Sequence, residues 1–280
     1  MPSKTNFVDE AFVRSVALPT HGGRYTVIPH AYVIDTARAE LATGGFQISS
    51  ETYKTTKDGQ IAQGIYNLVS TKDPDMGMMF AWSNSYNKML RFKCAVGGQV
   101  FVCMNGVVSG DLANYKRKHT GSALNDVIGS VQFQLQNAQV YYDQLIQDKE
   151  MLKNVLLTKK QQGSILGRLF ADEELLTLTQ VGIVKRELDK PSFNYNADPD
   201  SAWSLYNHVT LSLKDSHPLH YLDDHQDVHS FFVNEFGQLK SSAPVSNPVE
   251  ELYYADEVLK KAQQAAVTSE EEDTFGVNFM

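Results

Sequence analysis

From Phe46 to Val108 the chain is a succession of short strand-like runs divided by glycine turns, and this pattern limits the possible folds more than any other feature. Phe46–Thr56 is rich in Thr, Tyr and Ile, Lys57-Asp58-Gly59 turns, and Gln60–Ser70 returns. Asp-Gly between two such runs is a strong hairpin signal, because glycine accepts the positive φ that a primed turn requires. Met78–Ser83 and Met89–Val96 read as further strands, Gly97-Gly98 as a turn, Gln99–Met104 as another strand, and Asn105-Gly106 as a turn into Val107-Val108. Connections this short join antiparallel neighbours, since parallel pairing needs a crossover. The expectation is an antiparallel meander of about five strands over residues 46–109.

The period then changes. Leu124, Ile128, Val131, Leu135, Ala138, Tyr142, Leu145, Leu152 and Leu156 recur in steps of three and four, with Lys149 in the one polar gap. This predicts one long amphipathic helix over 122–157, lying across the sheet or forming a seam between copies of the chain. Asp172–Leu188 reads as a helix capped by Asp172, and Ala202–Asp215 as one capped by Asp200 or Ser201. A shorter helix is expected at Asp35–Ala42, capped by Asp35 and stopped by Gly44-Gly45. The fold class is α+β: the meander, the long helix, then a helical part over 172–240, in one main domain from 25 to 240. Residues 1–24 read as an extended lead-in, 247–267 as a C-terminal helix opened by Asn247-Pro248, and 268–280 as an acidic disordered tail.

Charge is unevenly placed. The net value is −8, yet between Asn84 and Thr120 six cations oppose Asp111 alone, while from Glu250 onward eight carboxylates oppose only Lys260 and Lys261. A basic middle can bind a polyanion even in an acidic protein. No apolar run approaches the roughly 18 residues of a membrane span, Met1–Asn6 has no apolar leader, and two cysteines make no disulfide framework. A cytoplasmic protein without membrane association is therefore expected. Phosphate loops, dinucleotide fingerprints, nucleophile elbows and His-Glu-x-x-His are all missing from the sequence, so no cofactor and no catalytic residue is expected.

Four groups of residues remain as candidates. Trp82 and Tyr86 interleave with Lys88, Arg91, Lys93, Lys116, Arg117 and Lys118, a composition suited to stacking bases and holding phosphates of a single strand. Arg91 and Lys93 share one face of a strand and Phe92 takes the other, so the two cations are expected to lie exposed together. The tail residues Glu270, Glu271, Glu272 and Asp273, followed by Phe275 and Phe279, are similar to the C-terminal tails of single-stranded DNA-binding proteins that recruit partners. His225 and His229, four apart beside Asp223, Asp224 and Asp227, are weak candidates for a metal. Asp73-Pro74-Asp75 and Asp198-Pro199-Asp200 read as turns and caps.

Three motifs carry a family resemblance: Trp82-Ser83-Asn84-Ser85-Tyr86-Asn87-Lys88, Val100–Gly106 with Arg117-Lys118-His119-Thr120, and Ala202–Thr210. Over residues 25–215 the chain resembles the phage/plasmid-like proteins of unknown function. The resemblance implies a mobile-element origin and a cytoplasmic setting in an infected bacterium, and no particular activity. The strand meander followed by a long helix is similar in outline to phage single-strand annealing proteins, an analogy of fold alone. The function expected is a phage accessory protein that binds single-stranded DNA as an oligomer, in annealing, recombination or replication. The alternative is a non-enzymatic factor that engages a host or phage protein through its acidic tail.

Overall fold

The computed structural model describes residues 6–20, 26–102, 105–108, 114–117 and 123–237. The expected C-terminal helix and acidic tail lie outside them. The strands are β1 (Asn6–Val8), β2 (Ile48–Thr55), β3 (Ile61–Leu68), β4 (Met76–Ser85), β5 (Phe92–Val100), β6 (Asn105–Val108) and β7 (Asn114–Arg117). They form a sheet of order β1-β2-β3-β4-β5-β6, every pair antiparallel, with β7 also on β5. The helices are α1 (Glu10–Ser15), α2 (His30–Thr43), α3 (Ala123–Gln136), α4 (Ala138–Lys153), α5 (Lys159–Ala171), α6 (Leu178–Asp189), α7 (Ala202–Ser212) and α8 (Tyr221–Phe236). The α+β class and the antiparallel meander followed by helices are thus as the sequence predicts.

Local chemistry explains both the agreements and the departures. The β2–β3 turn uses Gly59 at φ 68°, and the Thr56 hydroxyl donates to Asp58 at 2.6 Å. Gly97-Gly98 is not a turn but the middle of β5, opposite Met79 and Met78. A Cβ on Gly98 would stand 2.5 Å from Met76 Sδ, so this glycine serves close packing. β5 has two short partners: β7 pairs with Phe92–Ala95 and β6 with Gly97–Val100. Between them, the Val96 N–H donates to the Gln134 side chain of α3 at 3.3 Å, so the orphaned ladder group is satisfied from a helix.

Strand alternation sends two different surfaces to the two faces of the sheet. Tyr53, Tyr66, Phe80, Trp82, Phe92, Cys94 and Val96 belong to the main core with Val33, Val131 and Tyr142 of the covering helices. On the opposite face Ile65, Met79, Ala81 and Ala95 pack with Tyr221 and Leu222 at the start of α8.

Further departures from the sequence reading lie in the long helix, in two helix caps and in the N-terminal stretch. The single helix expected over 122–157 is interrupted at Asn137 (φ −100°, ψ 1°), whose side-chain amide donates to Phe133 O at 2.9 Å. Asparagine offers the backbone this local alternative to helical bonding. Asp172 does not open a helix; it ends α5, and Thr177 caps α6 with Gln180 in a reciprocal capping box. Asp35 lies within α2, which begins after Pro29, and its carboxylate binds Arg14 at 2.5 Å. The lead-in is not simply extended: β1 is a sheet edge, and Asp9 caps α1. Ser201 caps α7, one of the two residues proposed for that role. No helix among the described residues is long and apolar enough to cross a membrane.

Candidate functional site

The aromatic members of the expected single-strand site are core residues. Trp82 is 0% exposed, its indole N–H donates to Tyr66 Oη at 3.1 Å, and it lies over Gly64, whose added Cβ would meet Nε1 at 2.4 Å. Tyr86 is 2% exposed, stacks on His30 with ring centres 3.8 Å apart, and its hydroxyl accepts from the His30 N–H at 2.8 Å. Neither ring offers a face to a base, because both sides of β4 are covered. Lys93 likewise points inward, 8% exposed and ion-paired with Asp223, so it does not lie open beside Arg91.

The remaining cations come together. Lys88 and Arg91 are exposed in the β4–β5 turn, with Lys88 at φ 66° and Met89 64% exposed between them. Arg91 makes no ion pair among the described residues. The register of β7 sets Arg117 opposite Phe92 and Lys116 opposite Lys93, which brings both to the same corner of the sheet. Lys118 lies outside the described residues. Four positive positions thus gather where a hairpin turn meets a short edge strand, a basic corner without an exposed aromatic ring on its described side chains.

A second constellation was not visible in the sequence. Lys54 pairs with Gln63, Gln63 with Ser83, and Ser83 with Lys93, a straight polar row across four strands on the face that α8 covers. All four are buried, at 4%, 0%, 1% and 8% exposed. The Lys54 ammonium donates to Lys214 O at 3.0 Å and lies 4.6 Å from the centre of the Tyr221 ring. Both polar atoms of the Gln63 amide and the Ser83 hydroxyl lack a hydrogen-bond partner among the described residues. Gln63 and Ser83 carry no motif, and only the strand register joins them.

The histidine pair holds no metal geometry. His229 Nε2 meets Asp148 Oδ2 at 3.1 Å and Nδ1 meets the Tyr206 hydroxyl at 3.3 Å, so both ring nitrogens tie α8 to α4 and α7. His225 instead sits 0% exposed with its ring 4.4 Å from that of Tyr221. Among the described residues no group of three His, Cys, Asp or Glu side chains is placed to hold a metal ion. Asp73 and Asp198 act as turn acceptors, taking the N–H of Asp75 at 2.9 Å and of Asp200 at 2.8 Å.

Burial, reinforced by the Lys54 and Lys214 charges, pushes the His225 imidazole down to about 3 from 6.5. A folded value below the unfolded one means that full stability is present above pH 6.5 and is lost as pH falls toward 3, because only the unfolded chain takes up the proton. The expected slope approaches 1.4 kcal/mol per pH unit for this group, about 2.303RT. His225→Phe should flatten the stability profile between pH 6 and about 4, measured by urea unfolding; an unchanged profile would refute this origin of acid sensitivity.

No curated protein and no solved structure matches the chain. The family described as a domain of unknown function, DUF932, has a model that matches residues 17–230, from just after α1 to within α8, and the chain belongs to that family.

Proposed function

We propose that the protein binds single-stranded nucleic acid through the basic corner formed by Lys88, Arg91, Lys116 and Arg117, as a phage-encoded accessory protein in DNA annealing or replication. The observation that carries this reading is the gathering of four cationic positions at the β4–β5 turn and the edge strand β7. The corner holds phosphates rather than bases, because Trp82 and Tyr86 are in the core. Recognition is then electrostatic and tolerant of sequence, and Met89 supplies the exposed apolar surface beside the backbone path. The mobile-element setting is supported by the resemblance of the Trp82–Lys88 and Ala202–Thr210 segments to phage/plasmid-like proteins.

The test is charge reversal at Lys88 and Arg91, which lie exposed in the β4–β5 turn. Lys88→Glu with Arg91→Glu should weaken binding to a labelled single-stranded oligonucleotide at least tenfold at low salt. It should also lower the slope of log K against log salt by about 0.7 for each phosphate contact removed. Unchanged affinity in the folded double variant would reject the basic corner as the binding surface.

A further inference from the structure

The two halves of α8 have unlike seats. The second half is anchored in the main core: Val228, Phe231 and Phe232 belong to that cluster, and His229 bonds Asp148 and Tyr206. The first turns lie instead over the opposite face of the sheet, on the small apolar cluster of Ile65, Met79, Ala81 and Ala95 with Tyr221 and Leu222. The helix opens after His220 without a side-chain cap among the described residues. Polar groups beneath it are poorly matched. Both polar atoms of the Gln63 amide and the Ser83 hydroxyl are buried without a hydrogen-bond partner among the described residues, and neither ring nitrogen of His225 has a well-formed one. Buried polar groups without partners favour any state in which water or a ligand reaches them. A helix end seated this way is a segment of low local stability, able to detach while the rest of the fold stays closed.

The contact that closes this seat is the ion pair of Asp223 with Lys93. Lys93 stands opposite Lys116 in the register of β5 and β7, so the cation that α8 covers adjoins the basic corner. From Lys93 the polar row continues through Ser83 and Gln63 across the same face. We propose that the first turns of α8, residues 221–226, are a lid over a concealed extension of the nucleic-acid surface. The Asp223 carboxylate holds on Lys93 the place of a phosphate; when the lid lifts, Lys93 takes a phosphate, and Ser83 and Gln63 gain hydrogen-bond partners on the strand. This rests on the basic corner as the surface where the single strand first binds. In the wild-type chain the covered state dominates, and binding uses the corner alone. Removing the carboxylate takes that counter-charge from the buried Lys93, which favours the uncovered state.

Asp223→Asn in the full chain should bind a labelled single-stranded oligonucleotide on the order of fivefold more tightly at low salt. The slope of log K against log salt should steepen by about 0.7, one added phosphate contact. The double variant Lys93→Met/Asp223→Asn should show neither gain, because the cation that would hold the phosphate is gone. Amide hydrogen exchange of the wild-type chain should show residues 224–228 exchanging on the order of tenfold faster than α7, and faster again at saturating oligonucleotide. Wild-type affinity and slope in Asp223→Asn, or tighter binding that survives in Lys93→Met/Asp223→Asn, would overturn the lid and leave the corner standing, since the corner is tested by Lys88→Glu/Arg91→Glu. Absence of binding by the wild type and every variant rejects corner and lid together. Should Asp223→Asn fail to fold, exchange decides: residues 224–228 as protected as α7, with and without oligonucleotide, refute the proposal.

Discussion

Lys149→Met is expected to lower the free energy of unfolding by about 3–5 kcal/mol, the cost of leaving the buried Asp73 carboxylate without its counter-charge, while Asp75 keeps Lys153 at 2.7 Å. Lys149 fills the polar gap in the helical stripe, is 2% exposed on α4, and places its ammonium 2.5 Å from Asp73 Oδ2 and 3.3 Å from Asp75 Oδ2. Burial works against the charged lysine, but the bond to Asp73 with its charge prevails and raises the ammonium above its ordinary value. Asp73 in turn accepts the N–H groups of Asp75 and Met76, so the pair fixes the entry into β4 as well as the seat of α4. Lys72 forms the contrast: its pair with Asp143 is half open to water, and Lys72→Met should cost less than about 1 kcal/mol. Urea unfolding of both variants checks the difference, and similar small losses would show that the Lys149 pair does not anchor the helix.

The second large effect is at Trp82. Trp82→Ala should lose about 3–5 kcal/mol, because the vacated space lies between Gly64, Tyr53 and Tyr66, and strand backbone cannot collapse into it. Trp82→Phe keeps most of the volume and loses the bond to Tyr66 Oη, for a cost nearer 1 kcal/mol. The Phe variant, once folded, should bind single strands as well as the wild type. A base-stacking tryptophan would instead contribute about 1–3 kcal/mol to binding, so a clear loss of affinity in Trp82→Phe would return this residue to the binding surface.

The residues at Trp82 and Lys93 show where sequence reading reached its limit. β-rich composition between turns points to the strands and their antiparallel order, because Asp58-Gly59 and the short connections leave little choice of topology. Period-2 alternation does not say whether one face or both are covered. Lys93 alternates as an exposed cation should, yet α8 arrives from 130 residues away and places Asp223 over it. The Gly97-Gly98 pair is ambiguous for a related reason: glycine serves tight turns and close packing alike, and the bulk of Met76 on the neighbouring strand decides for packing. The start of α6 lies in the pairing of Thr177 with Gln180 three residues on, a signal that the reading of Asp172 as the cap passes over. The Lys54–Gln63–Ser83–Lys93 row depends on three strand registers at once, and no local pattern encodes that.

The most direct test of the account is the salt dependence of binding between the full chain and a labelled single-stranded oligonucleotide, followed by fluorescence anisotropy. Four phosphate contacts at the basic corner predict a straight line of log K against log salt with a slope of about −3, nearly the same for different base compositions. Binding that is absent at low salt, or that persists unchanged as salt rises, would contradict the proposal that the corner at Lys88, Arg91, Lys116 and Arg117 is a nucleic-acid surface.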